Sequence, residues 1–141
     1  MLVIDTSIAV KWVIPEDGSG IERGTDDALA LLSEVLVAPD CIRAEFANAM
    51  FKKVQRGEIS AEQARASTAI LPDAVTFLPS VPLIDDALAM ALSLPHPVHD
   101  CIFLIAAMNL KVSLVTADAK FHANCQLSGQ DYPVLLLGAA R

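Results

Sequence analysis

The sequence lacks the features that mark several large classes of protein. Its longest uninterrupted apolar run, residues 101–108, is far shorter than the roughly 18 residues that a membrane-spanning helix needs. The N-terminus carries no basic segment and already holds an acid at position 5, so it does not resemble a signal peptide. We therefore expect no membrane partner and a cytoplasmic location.

Paired cysteines and an excess of basic charge are also missing. The three cysteines, Cys41, Cys101 and Cys125, form no Cys-x-x-Cys pair, which argues against a zinc site and fits a reduced cytosolic interior. Ten Lys and Arg residues face 17 Asp and Glu residues, for a net charge of −7. This balance argues against nucleic-acid binding through a bulk positive field. It leaves open a nucleic-acid enzyme whose acids hold metal cations.

Apolar sequence is what the chain has in abundance. Its 141 residues suit one domain, and 54 % of them are hydrophobic. Without a membrane span, this much apolar sequence predicts a sheet buried on both faces. It also predicts a homodimer, with interface positions on the helices between residues 57 and 94. We find no internal repeat, linker or low-complexity tract, so we assign residues 1–141 to a single domain.

Short apolar strands alternate with helices along the whole chain. The predicted strands are residues 2–4, 36–38, 74–78, 112–115 and 134–137. The predicted helices are residues 7–13, 28–35, 40–56, 60–71, 85–94, 101–110 and 118–123, with Asp40 capping the third and a Ser60–Gln63 capping box starting the fourth. Such alternation is typical of a parallel sheet covered by helices on both faces.

Four acids fall at the ends of elements or on apolar faces, where an unpaired charge is expensive. Asp5 directly follows the first strand in "MLVIDTS", and Asp118 follows the fourth in "LVTADAKF". Glu45 lies within an apolar stretch of the long third helix, and Asp100 opens the most apolar helix of the chain. Because α/β sheets form their sites beyond the carboxyl ends of the strands, we expect these four carboxylates to converge.

Each acid also has an ordinary structural interpretation. Asp5, Asp100 and Asp118 each precede a predicted helix and could cap it. Glu45 lies more than a turn inside its predicted helix, where a snorkelling or salt-bridged side chain is the alternative. One common cause explains all four better, because carboxylate clusters bind hard divalent cations. Mg²⁺ or Mn²⁺ held there could bridge a phosphodiester and activate a water molecule.

Four segments resemble, in the right order, the motifs of the PIN-domain ribonucleases, and in particular the VapC-type toxins of prokaryotic toxin–antitoxin pairs. The segments are "VIDTSIAVKW", "APDCIRAEFANAM", "HPVHDCIFLIAAM" and "LVTADAKF", centred on Asp5, Glu45, Asp100 and Asp118, with Thr6, Asn48 and Thr116 as supporting residues. Each motif alone is weak, whereas the four together cover nearly the whole chain and are highly specific. The resemblance implies a single PIN-like α/β domain with a parallel five-stranded sheet.

The resemblance also implies a function. It is that of a Mg²⁺-dependent endoribonuclease, with Mn²⁺ as a substitute, that cuts cellular RNA when freed from a cognate VapB-type antitoxin. It further implies a homodimer that reaches DNA only through the antitoxin. Four of the 17 acids would then belong to the site, which accounts for more than half of the net charge of −7. The predicted RNA contacts are the basic residues on the helix of Glu45, namely Arg43, Lys52, Lys53 and Arg56.

Other interpretations fit parts of the pattern. The same fold could be a non-catalytic acidic module for a basic partner, although such a groove does not require acids on apolar faces. A phosphoaspartate receiver would place paired acids after the first strand, where this chain has only Asp5. The segment "GSGIERG" follows a loop and lacks the Gly-Lys-Ser/Thr ending of a phosphate-binding loop.

The histidines are assigned no catalytic role from the sequence. His96 lies in a proline-flanked loop and His122 on a short helix, so both are expected at the surface. His99 is expected to be a packed replacement for an aromatic residue.

Overall fold

Five parallel strands form one sheet in the computed structural model, which describes residues 1–139. The strands are β1 Leu2–Ile4, β2 Leu36–Pro39, β3 Thr76–Leu78, β4 Leu114–Thr116 and β5 Val134–Leu136. Their order in the sheet is β3-β2-β1-β4-β5, and every neighbouring pair is parallel. The predicted parallel five-stranded α/β fold is therefore confirmed.

Seven α-helices connect and cover these strands within the described residues. They are α1 Thr6–Lys11, α2 Thr25–Ala30, α3 Ile42–Gln55, α4 Ala61–Ala74, α5 Ile84–Ser93, α6 Val98–Leu110 and α7 Ala119–Leu127. Short 3₁₀ turns span Leu31–Ser33 and Val81–Leu83. Adjacent residues of the central strands, such as Val3 and Ile4 of β1, point to opposite faces of the sheet, and both are fully buried. Both faces are thus covered by helices, as predicted.

Helix α6 is the central helix of the core. Its residues 101–107 are all buried, and it packs against β1, β2 and β4. A helix that is apolar all round is stable only where protein surrounds it, which is why this segment forms the middle of the domain. Its first turn, which carries Asp100, is held close to the ends of the central strands.

The order in which strands are added to the sheet reverses at its centre. The chain runs from β1 outward through β2 to β3, and then returns to place β4 on the other side of β1. In the β1–β4 register Ile4 pairs with Val115, so the residues after Ile4 and Val115 lie side by side at the carboxyl edge. Ligand sites of open α/β sheets form in the crevice at such a switch point.

Several element boundaries differ from the prediction. Helix α3 begins at Ile42 with Cys41 as its N-cap, and the Asp40 carboxylate does not cap it. Asp40 Oδ1 instead accepts hydrogen bonds from Ser80 N at 3.0 Å and Ser80 Oγ at 2.5 Å. The predicted capping role of Asp40 is therefore wrong, because a partner distant in sequence takes its carboxylate. The Ser60 cap is confirmed, since Ser60 Oγ accepts from Gln63 N at 3.0 Å.

Among the described residues, no single helix is long and apolar enough to cross a membrane. The segments Val81–Ser93 and Val98–Leu110 reach that length and hydropathy only as a pair, and the pair is bent by 114° at its break.

Candidate active site

Asp5 lies where β1 ends, in extended backbone conformation with φ −106° and ψ −179°. It occupies the N-cap position of α1, but its side chain makes no capping hydrogen bond. Its Oδ1 accepts a hydrogen bond from Ser7 Oγ at 2.5 Å, and its Oδ2 accepts one from Thr116 Oγ1 at 2.5 Å. The side chain of Asp5 is thus buried and directed into the crevice between β1 and β4, and the capping alternative is wrong for it.

The two hydroxyls that hold Asp5 also join the ends of β1 and β4. Thr116 Oγ1, fully buried, accepts from Asp118 N at 3.1 Å, and Ser7 Oγ accepts from Ala117 N at 2.9 Å. Thr116 was predicted as a supporting residue, whereas Ser7 was missed. The available signal was a second hydroxyl two residues after Asp5, on the first turn of α1. Both hydroxyls keep Asp5 in one orientation.

Burial raises the pKa of Asp5 from its ordinary 3.8 to about 6. The hydrogen bonds from Ser7 and Thr116 oppose this rise in pKa, and repulsion from Asp100 adds to it. At neutral pH the carboxylate is still predominantly charged. The centre of the site is therefore a buried negative charge next to a second acid, an arrangement that favours binding of a cation.

Glu45 lies in the first turn of α3, because that helix begins at Ile42 and not at Asp40. The prediction that it lies more than a turn inside the helix is wrong. The pKa of Glu45 is raised from 4.5 to about 6, mainly by burial; the imidazole of His99 opposes the rise, and repulsion from Asp100 and Asp5 contributes to it. Glu45 is therefore close enough to Asp5 and Asp100 to interact with them electrostatically, and it belongs to the same cluster.

Two oxygen atoms beside this cluster are buried without a hydrogen-bond partner among the described residues. They are Oε2 of Glu45 and Oγ1 of Thr6, the residue next to Asp5. A buried acceptor without a partner is rare in folded proteins, because it loses its hydration and gains nothing in return. Oxygen atoms of this kind can bind a hard divalent cation, or accept a hydrogen bond from a water molecule bound to it.

Asp100 and Asp118 complete the acidic cluster from α6 and α7. Asp100 lies in the first turn of α6, whose N-cap is Pro97, so the capping alternative is wrong for Asp100. Asp118 is the N-cap of α7, and its Oδ1 accepts from Phe121 N at 3.0 Å, so the capping interpretation is confirmed for this residue. A ligand atom of Asp118 nonetheless lies within 4.8 Å of one on Asp100 and of one on His96.

The structure thus brings the four acids together around Asp100, from four different elements. Asp100 repels both Asp5 and Glu45, and it shares a possible metal-binding group with Asp118 and His96. Among residues 1–139, none of the Lys or Arg side chains forms an ion pair with any of the four. The donor set is rich in oxygen, has no Lys or Arg counter-ion within residues 1–139, and fits a divalent cation.

The histidines lie elsewhere than predicted. The His96 side chain is only 5 % exposed and its Nε2 lies 2.6 Å from Asp100 Oδ2, so the predicted surface position is wrong. Its loop folds back because His96 N donates to Ala91 O at 3.0 Å. His99 is 60 % exposed, with Nε2 at 3.5 Å from Asp100 Oδ1, so it is not packed as predicted. His122 is half-buried on α7.

The basic residues of α3 divide into two groups. Arg43, Lys52 and Arg56 are exposed, and the guanidinium of Arg43 lies 5.2 Å from the centre of the Phe77 ring. Lys53 is only 5 % exposed. Its Nζ lies 3.1 Å from Glu22 and 3.5 Å from Glu58, so the predicted contact with RNA does not fit this residue. Arg43 lies nearest to Glu45, and Asn48, also exposed, follows one turn later.

Comparison with known proteins gives the same fold. PAE2754 from Pyrobaculum aerophilum is 15 % identical and superposes with a TM-score of 0.71 over 96 % of this chain and 88 % of that chain. VapC20 from Mycobacterium tuberculosis, a toxin that cleaves the sarcin–ricin loop, is also 15 % identical, with a TM-score of 0.65 over 87 % of this chain and 94 % of that chain. No curated protein matches the sequence. The sequence profile of the PIN domain matches residues 2–127, and the chain therefore belongs to the PIN-domain family.

Proposed function

We propose that this protein is a metal-dependent endoribonuclease of the VapC toxin type. The observation that carries the proposal is the convergence of four acids from four elements without a Lys or Arg counter-ion in the described residues. The fold and the family support it, since VapC20, a toxin that cleaves RNA, shares this architecture. The residues proposed to hold the metal are Asp5, Glu45, Asp100 and Asp118.

We infer that the metal is Mg²⁺, with Mn²⁺ as a substitute. Carboxylate oxygens are the ligands that Mg²⁺ prefers, and Glu45 Oε2 is buried with no hydrogen-bond partner in the part of the chain that the structure describes. Carboxylate oxygens suit Mn²⁺ as well as Mg²⁺, so the same four acids make the site acceptable to Mn²⁺. When bound, the cation supplies Lewis acidity, which lowers the pKa of a water molecule and stabilises charge on the phosphate and the leaving oxygen.

The protein's own contribution is to hold the acids in place before RNA arrives. Ser7 and Thr116 orient both oxygens of Asp5, so little rearrangement is needed when charge develops on the phosphate. Arg43 lies on the same helix turn as Glu45, on the exposed side, and is proposed to contact RNA phosphates. Lys52 and Arg56 extend that basic face, and Arg56 lies about 16 Å further along the helix axis than Glu45.

The proposed partner is a cognate antitoxin. An apolar groove of about 440 Å³ lies beside α1, and its lining includes the exposed side chains of Ile14, Leu32 and Ile70. A groove of this kind fits the apolar face of an amphipathic partner helix. DNA would be reached only through the antitoxin, and the location proposed for a protein that cuts cellular RNA is the cytoplasm.

Substitution of Asp5 by Asn tests the proposed activity. Asn keeps the shape of the side chain but removes one charge and one strong oxygen ligand. We expect Asp5→Asn to cut RNA in Mg²⁺ on the order of a thousandfold more slowly than the wild type. The measurement is cleavage of total cellular RNA and of a labelled ribosomal fragment, with and without EDTA.

The matched control is Asp26→Asn, which removes an exposed acid in the first turn of α2. It should cleave at the wild-type rate. Wild-type speed in Asp5→Asn would show that the proposed site is wrong. A wild-type protein that binds neither Mg²⁺ nor Mn²⁺ in a titration would instead favour a non-catalytic acidic module that binds a basic partner.

A further inference from the structure

A chain of side-chain hydrogen bonds runs from α7 to Asp100 through His96. Nε2 of His96 lies 2.6 Å from Asp100 Oδ2, and its Nδ1 lies 3.0 Å from Asn124 Nδ2. Because a carboxylate accepts hydrogen bonds, this contact fits the tautomer in which the Nε2–H group donates a hydrogen bond to Asp100 Oδ2. The amide of Asn124 then donates to Nδ1. The two neighbours together determine both the tautomer and the orientation of the ring.

The surroundings of His96 form a built pocket for the imidazole. The side chain is 5 % exposed, and its ring centre lies 4.6 Å from that of Phe121, a fully buried residue. Pro95 and Pro97 restrict the backbone on either side. The imidazole is thus held by packing, by its backbone and by two hydrogen bonds. An ordinary surface histidine has none of these restraints.

The same contacts connect Asp100 with Asp118. Phe121, on which the His96 ring packs, donates its backbone N–H to Asp118 Oδ1 at 3.0 Å. The start of α7 therefore holds Asp118 directly and holds Asp100 through His96. Ligand atoms of the three side chains lie within 4.8 Å of one another. His96 accordingly sets the separation between two acids that come from different helices.

The two oxygens of Asp100 face different neighbours. Oδ2 is occupied by His96, whereas Oδ1 lies 3.5 Å from His99 Nε2. Glu45 interacts electrostatically with both His99 and Asp100, so Oδ1, which faces His99, is on the side of the site where Glu45 lies. With Oδ2 held, rotation of the carboxylate is blocked and Oδ1 is the oxygen presented to the rest of the acidic cluster.

We propose that His96, supported by Asn124, is a positioning residue that orients Asp100 for cation binding. This inference rests on the proposed nuclease function and deepens it, because it names a residue outside the four acids on which metal affinity depends. Partners that orient a metal-binding carboxylate typically contribute about 10- to 100-fold to metal affinity or activity. The competing explanation is that the ring only packs α6 against α7, in which case its loss would affect stability alone.

Three variants separate these explanations. His96→Leu fills the space but removes the donor, His96→Gln keeps an N–H donor, and Asn124→Leu removes only the support at Nδ1. The measurements are the Mn²⁺ dissociation constant by calorimetry without RNA, kcat and KM for RNA cleavage, and the melting temperature in EDTA. The control is His122→Leu, on the same helix α7 but outside this chain of hydrogen bonds.

We expect His96→Leu to bind Mn²⁺ about 10- to 100-fold more weakly and to lose kcat with little change in KM. His96→Gln should recover much of the affinity, Asn124→Leu should show a smaller loss of it, and His122→Leu should match the wild type. If His96→Leu fails to fold, the other two variants decide between positioning and packing. His96→Gln keeps a polar side chain at position 96, and Asn124→Leu keeps the imidazole there.

The proposal is overturned if folded His96→Leu binds Mn²⁺ as the wild type does. It is also overturned if Gln gives no recovery and the loss of affinity in every variant follows the loss of melting temperature. The calorimetric measurement does not require cleavage. If the wild type binds Mn²⁺ but cuts no RNA, the proposed nuclease function fails while the role of His96 is still decided by metal affinity.

Discussion

At the scale of single residues, the most consequential feature is a charge buried among hydroxyls. Burial raises the pKa of Asp5 from 3.8 to about 6, although Ser7 and Thr116 donate to both of its oxygens. Between about pH 4 and pH 6 the folded protein therefore holds a proton that the unfolded chain has released. The stabilisation that this proton provides is present at low pH and is lost as the pH rises through about 6.

The pH dependence of stability tests this feature without any metal. Asp5→Asn removes the charge, so its free energy of unfolding at pH 7.5 in EDTA should exceed that of the wild type by about 2 kcal/mol, from roughly 1.4 kcal/mol per pKa unit less the cost of rearranged hydrogen bonds. Near pH 4 the difference should nearly vanish. Urea denaturation at both pH values measures it, with Asp26→Asn as the exposed control. Equal destabilisation at both pH values would show that the fold requires the charged carboxylate.

The sequence was informative about the acids and uninformative about their partners. A carboxylate directly after an apolar strand, as at Asp5 and Asp118, predicts a strand-end site because parallel strands share one carboxyl edge. His96 was misjudged because its burial depends on Asn124, 28 residues further along the chain. Lys53 was misjudged because its counter-ion, Glu22, lies in a loop with no regular pattern. Such contacts depend on how loops fold, which periodicity does not describe.

At the scale of elements, the existence and order of the strands were easier to predict than the residue at which a helix begins. Runs such as residues 2–4 are apolar at every position. This pattern is typical of a strand that is buried on both faces. Helix starts depend on which partner a polar side chain finds. Asp40 has the chemistry of a helix cap, but Ser80 takes its carboxylate. The Asp40–Ser80 contact joins the ends of β2 and β3, and it holds the start of α3, which carries Glu45.

Removal of the Ser80 hydroxyl tests this connection. Ser80 Oγ donates to Asp40 Oδ1 and accepts from Cys41 N at 2.8 Å, and the residue is buried. Ser80→Ala leaves both groups without that partner, so we expect a loss of about 1–3 kcal/mol in the free energy of unfolding. Urea denaturation measures the loss, and Ser33→Ala, at an exposed serine, is the control. A Ser80→Ala protein as stable as the wild type would contradict the structural role.

At the scale of the whole molecule, the topology explains why the four acids meet. Strand β1 is central, and the strand order reverses between β1 and β4. The first turn of the buried helix α6 places Asp100 at that point. The alternation of strands and helices predicted this arrangement. The sequence does not show which apolar surfaces stay exposed. The pattern of an amphipathic helix identifies its apolar face, but it does not show whether the same chain or another molecule covers that face. The fold leaves such a face on α5 and the 3₁₀ turn before it.

That face leads to the last prediction, a homodimer. Val81, Ile84, Leu88 and Leu92 are spaced by three or four residues, and the outermost two are 79 % and 76 % exposed. Exposed apolar patches of this kind mark interaction sites, and this one lies within residues 57–94, where interface positions were predicted. Leu88→Lys would bury a charge in the interface, so light scattering at micromolar concentration should show a dimer for the wild type and a monomer for this variant. Leu127→Lys, at a leucine on α7 that is 85 % exposed, should remain dimeric. A monomeric wild type, or a dimer that persists in Leu88→Lys, would contradict an interface on α5.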